Sequence, residues 1–200
     1  MDLPSLSPSA LALLSCGVLA SCSATRPLPT PNYVDIDRFM GTWFVLGYTP
    51  IVVDKEAHNG FEHYYLAENG DIETTYQFRK GSFDGELKTM TPVGRVYDTE
   101  TNAEWRMQFL WPFKAAYVVM DLSDDYGTTI VAHPNRKYAW IMARKPEIPE
   151  ADYQRMLELL KKEGFDMDAI QRLPQNWRGE ATRLKMLERA TGGGRLVTAQ

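Results

Sequence analysis

The sequence predicts an all-β fold: an eight-stranded antiparallel up-and-down barrel with a C-terminal α-helix packed on its outside. Three observations carry that expectation. Between Trp43 and Arg144, short apolar runs follow one another at close spacing, each ended by a turn signal. The clearest run alternates strictly, with Ile72, Thr74, Tyr76 and Phe78 set against Glu73, Thr75, Gln77 and Arg79. That is the period of a half-buried strand. After Pro149 the period switches to that of an amphipathic helix. Closing eight such strands into a barrel removes the sheet edges and leaves room for side chains or one small ligand.

The elements follow in order. Residues 33–39 read as a short helical turn closing one end. Residues 43–48 form the first strand and about 61–67 the second. Asn69-Gly70 then supplies a strong hairpin turn into strand 72–79. Asp84-Gly85 turns the chain into a fourth strand, 86–98. In the fifth, Trp105, Met107 and Phe109 alternate with Glu104, Arg106 and Gln108, and Pro112 stops it. Residues 117–122, 128–132 and 138–144 complete the set, separated by Ser123-Asp124-Asp125 and His133-Pro134-Asn135. In the following helix Tyr153, Met156, Leu157 and Leu160 share a face, and Gly164 ends it. Residues 166–172 read as a short strand or turn returning to the barrel. Beyond Trp177 the pattern fades. Leu184 and Leu187 allow a short helix, and Gly192-Gly193-Gly194 reads as a frayed end.

The chain has 200 residues, 44% of them hydrophobic, enough for one domain with a core. Lys and Arg number 22 against 26 Asp and Glu, for a net charge of -4. No basic stripe is present, which argues against a nucleic-acid partner. Leu11 to Leu14 and Gly17 to Ala20 form an apolar segment too short to span a bilayer comfortably. Leu19-Ala20-Ser21-Cys22 resembles a bacterial lipobox, although the start carries no Lys or Arg and a second cysteine, Cys16, lies within the apolar segment. The expected organisation is a lipoprotein signal over 1–21, a proline-rich tether over 22–32, a barrel domain over 33–176 and a tail over 177–200. Pro27, Pro29 and Pro31 are expected to keep the tether extended and clear of the fold. With Cys22 acylated, the mature chain holds no other cysteine, so a disulfide is excluded.

Gly41-Thr42-Trp43, the region from Tyr117 to Tyr126, and Arg144 together resemble the three signatures of the lipocalin family. Phe109-Leu110-Trp111-Pro112-Phe113, the run from Pro134 to Ile141, and Gly164-Phe165-Asp166 resemble its bacterial branch of outer-membrane lipoproteins. The resemblance covers about 33–175. It implies that Trp43 packs across the closed end and that Arg144 lies over it, so Gly41, Trp43 and Arg144 have a structural role. It also implies attachment of lipid at Cys22 and a place on the outer membrane, facing the periplasm.

The cup is lined by one face of each strand. If Trp43 points inward, so does Val45. Arg144 sets Trp140 and Met142, with Tyr138, on its own face. The bulkier apolar parity elsewhere selects Tyr76, Phe78, Trp105, Met107, Phe109, Tyr117 and Val119. For each of these, core filling is the alternative to ligand contact. An apolar cup selects alkyl chains at roughly 0.8 kcal/mol per CH₂. That gain largely vanishes for a lipid that could stay in a bilayer. The expected ligand is therefore a single-chain lipid, a lysophospholipid or a fatty acid. A pigment, an isoprenoid or haem is the alternative, as is a structural envelope module without ligand. Haem would want an axial histidine, and only His58, His63 and His133 exist. No catalytic motif, cofactor or metal site is evident, and the chain is expected to be a binding protein, monomeric or a homodimer.

Overall fold

Strand β1 (Gly41–Tyr48) hydrogen-bonds on both of its sides, to β2 (Ala57–Leu66) and to β9 (Ala139–Ala143). The sheet therefore closes on itself. The computed structural model describes residues 26–110, 112–190 and 193–196. The leader and Cys22 lie outside the described residues. Between β2 and β9 the wall runs through β3 (Ile72–Lys80), β4 (Leu87–Met90), β5 (Val93–Val96), β6 (Glu104–Leu110), β7 (Phe113–Leu122) and β8 (Thr128–Ala132). All pairings are antiparallel.

The structure corrects the expected fourth strand. Residues 86–98 are not continuous: β4 pairs with one half of β3, and β5 pairs with its other half and with β6. The break falls at Thr91-Pro92, where proline has no N–H to donate. Its carbonyl still accepts from the Thr74 amide at 2.9 Å, so the two pieces remain one wall strand. That makes an eight-stranded barrel. Two starts also differ. β2 begins at Ala57, ahead of a bulge at His58–Phe61 where Asn59 has φ 47°. Asparagine tolerates that conformation, and the bulge hides the strand's alternation. β7 begins at Phe113, directly after Pro112.

Among the described residues there are three α-helices: α1 (Ile36–Phe39), α2 (Glu150–Lys162) and α3 (Ala181–Arg189). A 3₁₀ turn (Met167–Ala169) leads into β10 (Gln171–Arg172), which pairs with the far end of β1. Two core layers result. Trp43, Val45 and Tyr48 of β1 join the cluster inside the barrel. Phe44 and Leu46, on the opposite face, join an outer cluster with Tyr153, Met156 and Leu160 of α2 and Leu187 of α3. This is why β1 is apolar on both faces. Gly47 allows the close approach of α2, since a Cβ there would lie 2.5 Å from the Tyr153 hydroxyl.

The described part of the proline-rich segment does not stand clear of the fold. Leu28 is buried in the outer layer, and Arg26 pairs with Glu163 at 2.5 Å. Prolines favour an extended path, but an apolar side chain between them still gains by burial.

One end is sealed by the turn into β1. The Trp43 indole donates to the Phe39 carbonyl at 2.8 Å. The Arg144 guanidinium lies 3.8 Å above the Trp43 ring. It donates to the carbonyls of Thr42 (2.9 Å), Arg38 (2.7 Å) and Phe39 (3.1 Å). Burial pushes Arg144 down to about 10, which leaves it charged at neutral pH. Gly41 has φ 94°, a conformation that L side chains rarely adopt, and this turns α1 directly into β1.

Arg144→Ala should therefore lower stability by about 3 kcal/mol or more, because it removes the stacked cation and leaves the Thr42 and Arg38 carbonyls without this donor. Arg144→Lys should recover only part, lacking the fork of donors. Urea unfolding beside ligand titration checks this. An unchanged midpoint with lost binding would contradict the structural role.

Candidate functional site

Antiparallel hairpins place alternate loops at opposite ends. The α1 end carries loops 67–71, 97–103 and 123–127. The other end, the mouth, carries loops 49–56, 81–86 and 133–138 and the β6–β7 hairpin. A floor of aromatic rings closes the α1 end: Phe39 lies 5.0 Å from Trp43 and 5.2 Å from Trp105, and Tyr64 lies 5.9 Å from Trp105. From there a column of rings rises. Trp105 stacks on Tyr117 at 5.3 Å, and Tyr117 on Trp140 at 6.4 Å. Trp140, half-buried, faces β1 at Tyr48, near the mouth.

Most of the sequence-predicted lining comes together here. Val45, Tyr76, Phe78, Trp105, Met107, Tyr117, Val119 and Met142 all belong to the buried cluster inside the barrel, with Trp140 packed against it. Phe109 does not. It is 47% exposed beside the β6–β7 hairpin, and Tyr138 is likewise exposed, in the β8–β9 loop. Both positions lie where the wall ends, so they have no neighbours above them.

Two buried carboxylates enter this apolar interior, and parity reasoning on bulky side chains passed over both. Glu62 sits on β2 opposite Trp43 and Tyr76. Its Oε2 accepts from the Tyr64 hydroxyl, and the Tyr117 hydroxyl stands 3.5 Å from the same oxygen. Only 8% of Glu62 is exposed. Burial pushes its carboxyl up to about 7, against the opposing pull of the two tyrosine hydroxyls. Burial and the nearby Glu62 hold Tyr64 and Tyr117 well above the ordinary phenol range. A usable signal was present, because Glu62 shares its strand face with Tyr64. The Thr74 hydroxyl, on β3 opposite Tyr64, is buried without a hydrogen-bond partner among the described residues.

Asp54 lies in the β1–β2 loop yet is buried. Its carboxylate accepts from the Ile51 amide at 2.7 Å and the Tyr76 hydroxyl at 3.3 Å. Its carbonyl accepts from the Tyr48 hydroxyl at 2.8 Å. These bonds draw the loop inward across the mouth. Burial raises the Asp54 carboxyl.

The three histidines are placed elsewhere. His63 bonds to Thr42 Oγ1 and to the Gly194 carbonyl, each at 2.8 Å, outside the barrel cluster. His58 packs on Phe83, and His133 accepts from the Asn135 amide. Among the described residues no group of three His, Cys, Asp or Glu could hold a metal, and no helix is long and apolar enough to cross a membrane.

Because the fold favours the neutral form of Glu62, the stability tied to it is complete below the ordinary carboxyl value of 4.5. It is lost as pH rises through about 7. Glu62→Gln keeps the shape and removes the charge. It should match the parent near pH 4 and exceed it by up to about 3 kcal/mol near pH 8. Urea midpoints at the two pH values check this, and a gap of the same size at both would refute it.

Comparison with known proteins agrees with this geometry. A model of the lipocalin-like domain matches residues 34–175. The chain is 27% identical over 167 residues to the outer membrane lipoprotein Blc of Escherichia coli strain K12, covering 81% of this chain and 93% of that protein. It is 24% identical over 157 residues to temperature-induced lipocalin-1 of Arabidopsis thaliana, covering 72% and 80% respectively. Among solved structures, the cockroach allergen Per a 4 superposes with a TM-score of 0.59 at 20% identity, covering 76% of this chain and 95% of that one. Insecticyanin from the tobacco hornworm Manduca sexta gives 0.57 at 15% identity, covering 74% and 84%. With a closed eight-stranded barrel, an arginine-capped floor and a family match over most of its length, this chain belongs to the lipocalin family, as a bacterial Blc-like member.

Proposed function

We propose that the protein binds single-chain membrane lipids, lysophospholipids or fatty acids, and carries or stores them in the bacterial envelope. The family supports the coarser statement directly: lipocalins are binding and transport proteins for small hydrophobic ligands, rather than enzymes as a rule. The observation that carries the finer reading is the column of stacked rings from Trp105 through Tyr117 to Trp140, which lines one path from floor to mouth. An alkyl chain laid along such a column exchanges water for apolar contact at roughly 0.8 kcal/mol per CH₂. Eight strands leave room for one chain more readily than for two.

The interior carboxylates support a tail-first pose for any anionic lipid. A charged headgroup beside Glu62 would lose its hydration in a dry interior whose buried cluster, among the described residues, holds no cation. At the mouth it would instead meet exposed lysines such as Lys55 and Lys137. The relatives named as outer membrane lipoproteins support a similar anchor here, on acylated Cys22 facing the periplasm, with several acyl chains giving stable attachment. No partner is required beyond the ligand and the membrane, and either a monomer or a homodimer is compatible.

Native mass spectrometry tests the reading, on the mature chain from position 22 carrying Cys22→Ser. After incubation with a membrane lipid extract it should retain one single-chain lipid per barrel. Trp140→Ala should weaken that binding about tenfold, the equivalent of about 1.4 kcal/mol. A protein that takes up nothing from the extract would favour a structural envelope module instead.

A further inference from the structure

The exposed apolar side chains are unevenly distributed. Among the described residues, six of the nine large ones stand at the mouth: Val52, Val53, Leu87, Phe109, Phe113 and Tyr138. Val52 is 84% exposed and Phe113 72%, each at the tip of its loop or hairpin. The other three, Tyr33, Tyr97 and Val93, are scattered over the floor and the wall. Single exposed apolar residues need no explanation, but six gathered at one end do.

Charge is divided in the same direction. Lys55, Lys80, Lys114 and Lys137 stand exposed around the apolar tips. Acids also occur there, Glu56, Asp84 and Glu86, the last paired with Lys88 at 2.7 Å. The floor is instead acidic overall: its loops carry Glu68, Asp71, Asp98, Glu100, Asp124 and Asp125, against Arg95 paired with Asp71 at 2.5 Å and Arg38 and Lys145 exposed at the same end. An anionic surface would therefore repel the floor and accept the mouth.

The path of the N-terminal segment gives a third, independent indication. The Arg26 carbonyl accepts from Arg136 at 2.6 Å, and Arg136 belongs to the β8–β9 loop at the mouth. Arg26 also pairs with Glu163, just past the end of α2, whose carbonyl Arg136 holds at 2.6 Å. The chain thus begins its described course at the mouth and crosses to the floor, where the Val34 amide reaches the Thr101 carbonyl. Arg26 is four positions along the chain from Cys22, a reach of at most about 14 Å.

We propose that the mouth is a membrane-docking surface, which seats the barrel opening-down on an anionic phospholipid bilayer with the apolar tips in the headgroup layer. The tips supply interfacial burial, the lysines supply attraction to anionic lipid, and the acidic floor fixes the orientation. An anchor at Cys22 would act in the same direction. That last point rests on the acylation reading, whereas the rim does not. A cup docked in this way takes a single-chain lipid from the leaflet without passing it through water.

The test uses the chain from position 22 with Cys22→Ser, so that no acyl anchor forms. Among the described residues every core residue lies at or beyond Leu28, so this chain keeps the described fold. It is sedimented with vesicles of equal parts phosphatidylcholine and phosphatidylglycerol. The parent should bind, and less so as salt rises. The double variant Val52→Asp/Phe113→Asp should lose about tenfold or more. Tyr33→Asp, at a floor site 60% exposed, should bind like the parent. Circular dichroism and uptake of lysophosphatidylcholine from solution are measured on the same samples. Lost sedimentation with retained fold and uptake supports docking through the rim. Rim and floor variants that sediment alike, or a parent that takes up lipid but never sediments, would overturn the proposal and leave the lipid-binding cup intact.

Discussion

Everything in this molecule depends on β1 pairing with two partners at once. Its bonds to β2 and β9 close the wall, and closure alone divides the protein into an inside, an outside and two unlike ends. A strand in that position must satisfy two cores. Trp43 and Val45 therefore face inward, while Phe44 and Leu46 lie under the helices. The helices are a consequence of the wall rather than a separate unit. Phe61 and Phe44 need cover, which Trp177 provides at 6.3 and 5.2 Å, with Arg183 set over both Trp177 and Phe61. Arg183 is buried and bonded to Glu180 and to the Asn59 carbonyl, so the segment after the barrel is tied to the bulge in β2.

The two ends then serve opposite purposes. At the floor, Arg144 gathers three carbonyls that the turn from α1 into β1 leaves without strand partners, and it covers Trp43 while doing so. A lysine could not meet that geometry, which calls for a planar fork of donors. At the mouth, Asp54 holds the β1–β2 loop by bonds to two interior tyrosines, leaving Val52 and Val53 directed outward. The ends therefore differ in kind: the floor is fixed by Arg144 over Trp43, and the mouth carries exposed apolar side chains.

The interior is not uniformly apolar, and that shapes what it can hold. A carboxyl beside two tyrosine hydroxyls is costly to ionise away from water, so Glu62 favours its neutral form up to near neutral pH. In that form it bonds within its own network and does not compete with an alkyl chain for space or charge. An unpartnered Thr74 hydroxyl on the adjacent strand adds a second polar point to the same wall. Such groups interrupt an otherwise apolar interior at two polar points.

Local pattern was enough for the fold class and for most of the residues that face the interior, while the floor followed from the lipocalin resemblance. Strict alternation in Ile72 to Phe78, turn signals such as Asn69-Gly70, and the helical face of Tyr153 to Leu160 act over a few residues and survive any tertiary context. Other features depend on partners distant in sequence, so they were not legible. The bulge at Asn59 is stabilised by Asn176, more than a hundred residues away. Leu184 and Leu187 allowed a short helix, and α3 forms there, but the burial of Arg183 within it was hidden, because only Glu180 and two rings make it tolerable. Glu62 looked like a polar strand residue until register placed it opposite Trp43 and beside Tyr64. The sequence by itself determined which residues alternate and therefore that the chain forms a barrel. Only the tertiary structure decided which charges enter it and which apolar residues ring its mouth, because burial and proximity follow from closure and not from spacing along the chain.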